Sequence, residues 1–79
     1  MALRALSDGA LFAESYGDGS PRVLALHGWG RRGNDFARSL ARFDALALDL
    51  PGFGASPAPD QPIGAAGYAD LVLPALDLF

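Results

Sequence analysis

Two glycine-rich turns that follow apolar segments hold the residue types best able to do chemistry in this chain. The first is LHGWG at residues 26–30, after an apolar run that begins at Val23, and the second is DLPGFGAS at residues 49–56, after the apolar run 45–48. Turns at the carboxyl ends of parallel strands are where open α/β sheets bind ligands. Glycines let a backbone approach a ligand closely, so these turns predict a site built largely from main-chain groups.

Three interpretations of the first turn remain open. Its N–H groups can stabilise the negative oxygen of an acyl-transfer intermediate, as an oxyanion hole does. Alternatively, Gly28–Gly33 satisfies the dinucleotide pattern G-x-G-x-x-G, with Asp49 at a suitable distance for a ribose contact. Against this, the following helix is expected to begin at Asn34 and not at the second glycine. The third interpretation is a tight turn without chemistry.

The elements around these turns follow from apolar patterning. Residues 2–6 and 11–16 flank an Asp-Gly turn and predict a β-hairpin. The runs 23–26 and 45–48 are continuously apolar, which is typical of strands buried on both faces. The order strand, helix, strand between them predicts a right-handed parallel crossover.

Two helices are expected beside these strands. The first begins at Asn34, because Phe36, Leu40 and Phe43 recur at i, i+4 and i+7. The second covers residues 68–79 and is interrupted by Pro74, which cannot continue a helical hydrogen-bond ladder.

Composition limits the possible functions. The 79 residues suffice for a single small domain, and the absence of cysteine excludes disulfides and thiolate metal sites. A net charge of −3 argues against nucleic acid as a partner. No run approaches the roughly 18 apolar residues of a membrane span, and the N-terminus does not resemble a signal peptide. We therefore expect a cytoplasmic protein with no metal, no cofactor and no membrane partner.

The two motifs together resemble the N-terminal portion of the α/β-hydrolase superfamily, and within it the pimeloyl-acyl-carrier-protein methyl ester carboxylesterases and related small esterases. The resemblance implies a β-hairpin followed by β-α-β-α, with a mostly parallel sheet and a three-layer sandwich left incomplete. Residues 1–79 would form a single partial domain that lacks the nucleophile elbow, the acid and the base.

The resemblance also implies roles for individual residues. The backbone N–H of Trp29 would be one oxyanion donor. Substrate contacts would come from Gly28, Trp29, Gly30 and Phe53. The loops would be held by His27, Asp49, Gly52, Gly54 and Ser56. His27 would brace its loop instead of acting as the catalytic base, since the base of this family lies later in the chain.

The functional hypothesis is an N-terminal fragment of a serine hydrolase that acts on small-molecule carboxylic esters. Because the sequence contains no Gly-x-Ser-x-Gly, the fragment is expected to be inactive alone. In this family the strand at Val23–Leu26 has neighbours on both sides, so its bare edge predicts a complementing chain or self-association. The alternatives are a dinucleotide-binding module and a non-catalytic structural fragment.

Overall fold

The computed structural model describes residues 2–79, and a four-stranded sheet lies at its centre. The strands are β1 (Ala2–Leu6), β2 (Leu11–Tyr16), β3 (Val23–Leu26) and β4 (Ala45–Asp49), in the spatial order β1-β2-β4-β3. The pairs β1–β2 and β2–β4 are antiparallel, whereas β3–β4 is parallel. The expected parallel pairing of β3 and β4 is present, but the sheet is mixed over the described residues. The expectation of a mostly parallel sheet is therefore wrong here, because the hairpin contributes two of its four strands.

The hairpin turn between β1 and β2 shows the conformation that its sequence favours. Ser7, Asp8 and Gly9 all have positive φ, at 51°, 55° and 90°. The Ala10 N–H closes the turn by donating to the Ser7 carbonyl at 3.1 Å. Aspartate and glycine tolerate this left-handed region better than most residues, so the turn forms where the Asp-Gly pair predicts it.

Burial differs sharply between the two apolar strands. All five residues of β4 are buried, as predicted, because β4 lies between β2 and β3. The strand β3 lies at the sheet edge, where Leu26 is 51% exposed. The prediction that β3 is buried on both faces is wrong within residues 2–79, because Val23, Leu24 and Ala25 are only half-buried and Leu26 is exposed.

The segment between β3 and β4 is more irregular than its periodicity predicts. A 3₁₀ helix covers Gly33–Phe36, and turns follow it in place of a continuous α-helix. Leu40 is buried against the sheet, but Phe43 is 53% exposed. Phe43 is the third apolar residue of the helical spacing, and about half of its surface stays exposed. The predicted helix from Asn34 is shortened to one turn.

The second helical region lies on the opposite side of β4 from Leu40. The α-helix α1 spans Ala65–Val72 and is followed by a 3₁₀ helix at Leu73–Leu78. Pro74 lies in the first turn of this 3₁₀ helix, so the interruption occurs where the sequence predicts it. The helix begins three residues before the predicted start at Tyr68.

Two small apolar clusters cover the two faces of the sheet. Alternate residues of β4 face opposite sides, as the pleat of a strand requires. One cluster consists of Leu11, Ala13, Leu46, Leu48 and Ala75. The other consists of Tyr16, Leu40, Ala45 and Ala47. The structure is thus a thin α/β arrangement that is compatible with the beginning of an α/β-hydrolase fold.

Tyr16 has a polar atom buried in the second cluster. Its hydroxyl group has no hydrogen-bond partner among the described residues. Burial raises the pKa of the Tyr16 phenol, and the negative charges of Glu14 and Asp49 raise it further. A buried hydroxyl without a partner lowers stability, because it has lost its hydrogen bonds to water.

We expect Tyr16→Phe to leave the free energy of unfolding unchanged or to raise it by about 1 kcal/mol. The unfolded phenol ionises above pH 10 while the folded phenol stays protonated, so wild-type stability falls as the pH rises above 10. The variant should lose this part of the pH dependence. Denaturant unfolding at pH 7 and pH 10.5 measures both effects, and a large loss of stability at pH 7 would contradict the unpartnered hydroxyl.

Candidate functional site

The two glycine-rich turns lie side by side at the carboxyl ends of β3 and β4. The first turn runs from Gly28 to Arg31, and the Arg31 N–H donates to the Gly28 carbonyl at 3.1 Å. Gly30 has a φ of +75°, which favours glycine at the third position of a type II turn. Trp29 occupies the second position, and its side chain is 87% exposed.

The main-chain N–H of Trp29 is the group that an oxyanion hole would use. No acceptor within residues 2–79 takes a hydrogen bond from it. The neighbouring carbonyl of Gly28 is occupied by Arg31, as described above, and also accepts from the His27 ring. The Trp29 N–H therefore has no acceptor among the described residues, while the neighbouring Gly28 carbonyl already accepts two hydrogen bonds. Such a donor suits an incoming negative oxygen.

Aromatic contacts join the two turns. Phe53 lies between His27 and Trp29, with ring centroids 5.5 Å and 5.1 Å away, respectively. Both pairs are edge-to-face, at interplanar angles of 74° and 75°. Such pairs contribute about 0.5–1.5 kcal/mol beyond the area they bury. Phe53 thus connects His27 and Trp29, and the sequence analysis singled out all three residues.

His27 is buried and uses both ring nitrogens on backbone groups. Its Nδ1–H donates to the Gly28 carbonyl at 2.7 Å, and its Nε2 accepts the Leu50 N–H at 2.9 Å. These bonds require the neutral tautomer protonated at Nδ1. The imidazole connects the two turns, which supports a loop-bracing role and leaves no free nitrogen for proton transfer.

Asp49 is the last residue of β4, and it is 5% exposed. Its Oδ1 accepts the Gly33 N–H at 2.7 Å, and its Oδ2 accepts the Ala55 N–H at 2.8 Å. Gly54 packs directly on the carboxylate with a φ of +55°, and a Cβ there would collide with it. The aspartate therefore holds one backbone amide from each side of the site.

Ser56 and Gly52 complete the second turn. The Ser56 hydroxyl donates to the Asp49 carbonyl at 2.5 Å and accepts the Phe12 N–H at 2.9 Å, which attaches the turn to β2. Gly52 has a φ of +88°, and its N–H donates to the Pro57 carbonyl at 3.0 Å. The serine oxygen is occupied in both directions and buried, so it is a poor nucleophile.

The geometry disfavours the dinucleotide alternative. Both carboxylate oxygens of Asp49 are taken by backbone amides, so neither is directed at a ribose. A short 3₁₀ helix begins at Gly33, whereas a dinucleotide site has an α-helix that begins within its glycine-rich turn. Gly33 itself packs against β4 and is buried.

Ala55 and Asp35 were not predicted as site residues, and Gly33 was predicted only within the dinucleotide alternative. Gly33 and Ala55 supply the amides that bind Asp49, and Asp35 binds Arg31, with 2.8 Å between Oδ2 and Nε. The i, i+4 spacing of Arg31 and Asp35 was the available sequence signal. The hydrogen bond from the Arg32 N–H, and the adjacent Arg31 guanidinium, hold the pKa of Asp35 below its usual value. The hydrogen bonds that the Asp35 carboxylate accepts from Arg31 and Arg32 are weakened as the pH falls through the lowered pKa of Asp35.

No cluster of three or more histidine or acidic side chains in residues 2–79 could hold a metal ion. No helix in the same range is long and apolar enough to cross a bilayer.

Comparison with known proteins finds one informative relative. The chain is 56% identical over 52 residues to the pimeloyl-[acyl-carrier protein] methyl ester esterase of Chromobacterium violaceum. The match includes 61% of this chain and 20% of that protein, so the chain spans about a fifth of the relative's length. No protein-family model and no solved structure matches the chain. The resemblance to these esterases, inferred from the two motifs, is confirmed.

We expect Gly33→Ala to lower the free energy of unfolding by about 1–3 kcal/mol. A Cβ at this position would lie 2.5 Å from the Ala47 carbonyl oxygen, and backbone cannot move aside easily. Gly28→Ala is the matched control, because nothing lies within 4 Å of its added Cβ. Denaturant unfolding of both variants measures the difference, and equal stabilities would contradict the tight approach of Gly33 to β4.

Proposed function

We propose that this chain is the N-terminal part of a serine hydrolase that acts on carboxylic esters, with the Trp29 N–H as one oxyanion donor. The observation that carries the proposal is that the Trp29 N–H has no acceptor among the described residues. His27 joins the turn of Trp29 to Leu50, and Phe53 packs against the Trp29 ring. The esterase relative supports the hydrolase assignment.

The chemistry follows from the donor. Attack of a serine on an ester carbonyl places a negative charge on the carbonyl oxygen, and a preorganised N–H stabilises that charge. The turn is preorganised because its flanks are bonded to Leu50 and packed on Phe53. The sequence contains no Gly-x-Ser-x-Gly, so the nucleophile, acid and base would come from further polypeptide. The chain is accordingly proposed to be inactive by itself.

The substrate contacts would lie around the same turn. Gly30 and Phe53 line an open cleft beside Trp29, and Gly28 has open space around its Cα. The relative's name specifies a methyl ester carried on an acyl-carrier protein. For this chain we propose the broader class of carboxylic esters, without a cofactor, and a cytoplasmic location.

The complementing polypeptide would cover the outer edge of β3 and the apolar groove beside it, which we call the β3 groove. The groove has a volume of about 330 Å³ and lies between β3 and the C-terminal helices. It is lined by Leu24, Leu26, Leu50, Tyr68, Ala69, Val72, Leu73 and Leu76. An exposed strand edge beside an apolar surface favours pairing with another strand. The same feature favours the second candidate, a structural fragment that pairs without catalysis.

We expect Trp29→Pro to lower ester hydrolysis by about 10²–10³-fold, whereas Trp29→Phe retains most of it. Proline removes the N–H and is accepted at the second position of a type II turn. Each variant would be mixed with a truncated Chromobacterium violaceum esterase that lacks the matched region, and hydrolysis of a p-nitrophenyl ester would be followed.

Three results of this assay would count against the proposal. Equal activity of the two variants would exclude the Trp29 N–H as a donor. Ester hydrolysis by the isolated chain would contradict its proposed inactivity. Stable association with the truncated esterase, but no hydrolysis with any variant, would favour the structural fragment.

We expect Leu26→Lys to weaken association with the truncated esterase by at least tenfold, because the charge is placed at the β3 edge. Leu3→Lys is the matched control, since Leu3 is 53% exposed on β1 at the opposite edge and Leu26 is 51% exposed. Sedimentation velocity measures both complexes. Equal weakening by the two substitutions would contradict β3 as the pairing edge.

A further inference from the structure

The cleft beside Trp29 contains two arginines that the proposed hydrolysis does not use. It is open to solvent, has a volume of about 550 Å³ and lies between the two turns. Arg31 and Arg32 line one side together with Asp35, and the segment Gly52–Gly54 lines the other. The cleft is therefore lined by Gly30 and Arg31, which follow the proposed oxyanion donor Trp29 in the same turn.

The Arg31 side chain is 66% exposed and is bonded to a single carboxylate oxygen. Its Nε donates to Asp35 Oδ2 at 2.8 Å, and the Arg32 N–H donates to the same oxygen at 3.2 Å. None of the described acceptors binds the two terminal nitrogens of the Arg31 guanidinium. These nitrogens remain available to bind two oxygens of a carboxylate or phosphate through two parallel hydrogen bonds.

The charge around the cleft favours an anion locally. The chain carries a net charge of −3, but the ionisable residues lining this cleft are two arginines and one aspartate. The aspartate is already bonded to Arg31 and to the Arg32 N–H.

We propose that Arg31, oriented by Asp35, binds an oxyanion group of the ligand, either a carboxylate or a phosphate, at the edge of this cleft. The proposal rests on the proposed function, because it assigns a charged group to the substrate of the same site. Asp35 acts as a positioning residue, since it fixes the guanidinium through Nε and leaves the terminal nitrogens free. Arg32 adds positive charge without a defined contact.

The test is an NMR titration of the complete 79-residue chain with inorganic phosphate and, separately, with glutarate, each at constant ionic strength. We expect saturable shifts of the Arg31 Nε–H and of the Gly30 and Phe53 amides. Arg31→Gln should weaken binding at least tenfold. Arg31→Lys keeps the charge but loses the paired donors, so it should restore only part of the affinity.

Arg42→Gln is the matched control, because it removes the same charge near Val23, at the opposite end of β3. It should leave the titration unchanged. Asp35→Asn should weaken binding while Arg31 keeps its charge, which a purely electrostatic effect does not predict. Saturation by one probe alone supports the proposal and identifies that group as the ligand class.

Two results would overturn the proposal. Equal affinities of wild type and Arg31→Gln would show that Arg31 does not bind the anion, and equal losses in Arg31→Gln and Arg42→Gln would show a non-specific charge effect. Neither readout depends on ester hydrolysis. Anion binding by Arg31 without ester hydrolysis in the mixing assay would contradict the proposed function and support the anion site. Ester hydrolysis without anion binding would support the proposed function and contradict the anion site.

Discussion

The arrangement of both turns depends on one buried carboxylate. Asp49 accepts an amide from Gly33 on the β3 side and another from Ala55 on its own side. Burying a charge is costly unless hydrogen bonds compensate, and charge-assisted bonds to amides are among the stronger ones. Because Ser56 also fixes the Asp49 carbonyl, the aspartate is held at both its backbone and its side chain.

This constraint explains why glycine occupies particular positions near the site. A side chain at Gly33 would collide with β4, and one at Gly54 would collide with the Asp49 carboxylate. Gly28 and Gly30 are different, since a Cβ at either meets nothing within 4 Å. The first pair therefore serves the close packing around β4 and Asp49, whereas the space beside the second pair is open.

Apolar runs and turn residues predicted the strands well, because they reflect local conformation. They did not predict the exposure of β3, because a sequence run carries no information about which neighbours are present. The helix expected from Asn34 failed for a related reason: the spacing of Phe36, Leu40 and Phe43 is helical, but Phe43 stays 53% exposed. Periodicity identifies apolar faces and not the partners that bury them.

The two motifs placed the candidate site residues in the two turns, and the family resemblance predicted that His27, Asp49 and Ser56 hold the loops, but the parts of Ala55 and Asp35 were not predicted. The glycines, His27 and Asp49 follow from the two motifs, whereas the position of Phe53 between His27 and Trp29 depends on tertiary structure.

That aromatic arrangement has a practical consequence. Trp29 is the sole tryptophan of the sequence and stands in the proposed oxyanion turn, largely exposed to water. Its indole fluorescence is therefore an intrinsic optical reporter of this one position. A ligand that displaces water there would shift the emission to shorter wavelength, with no label attached.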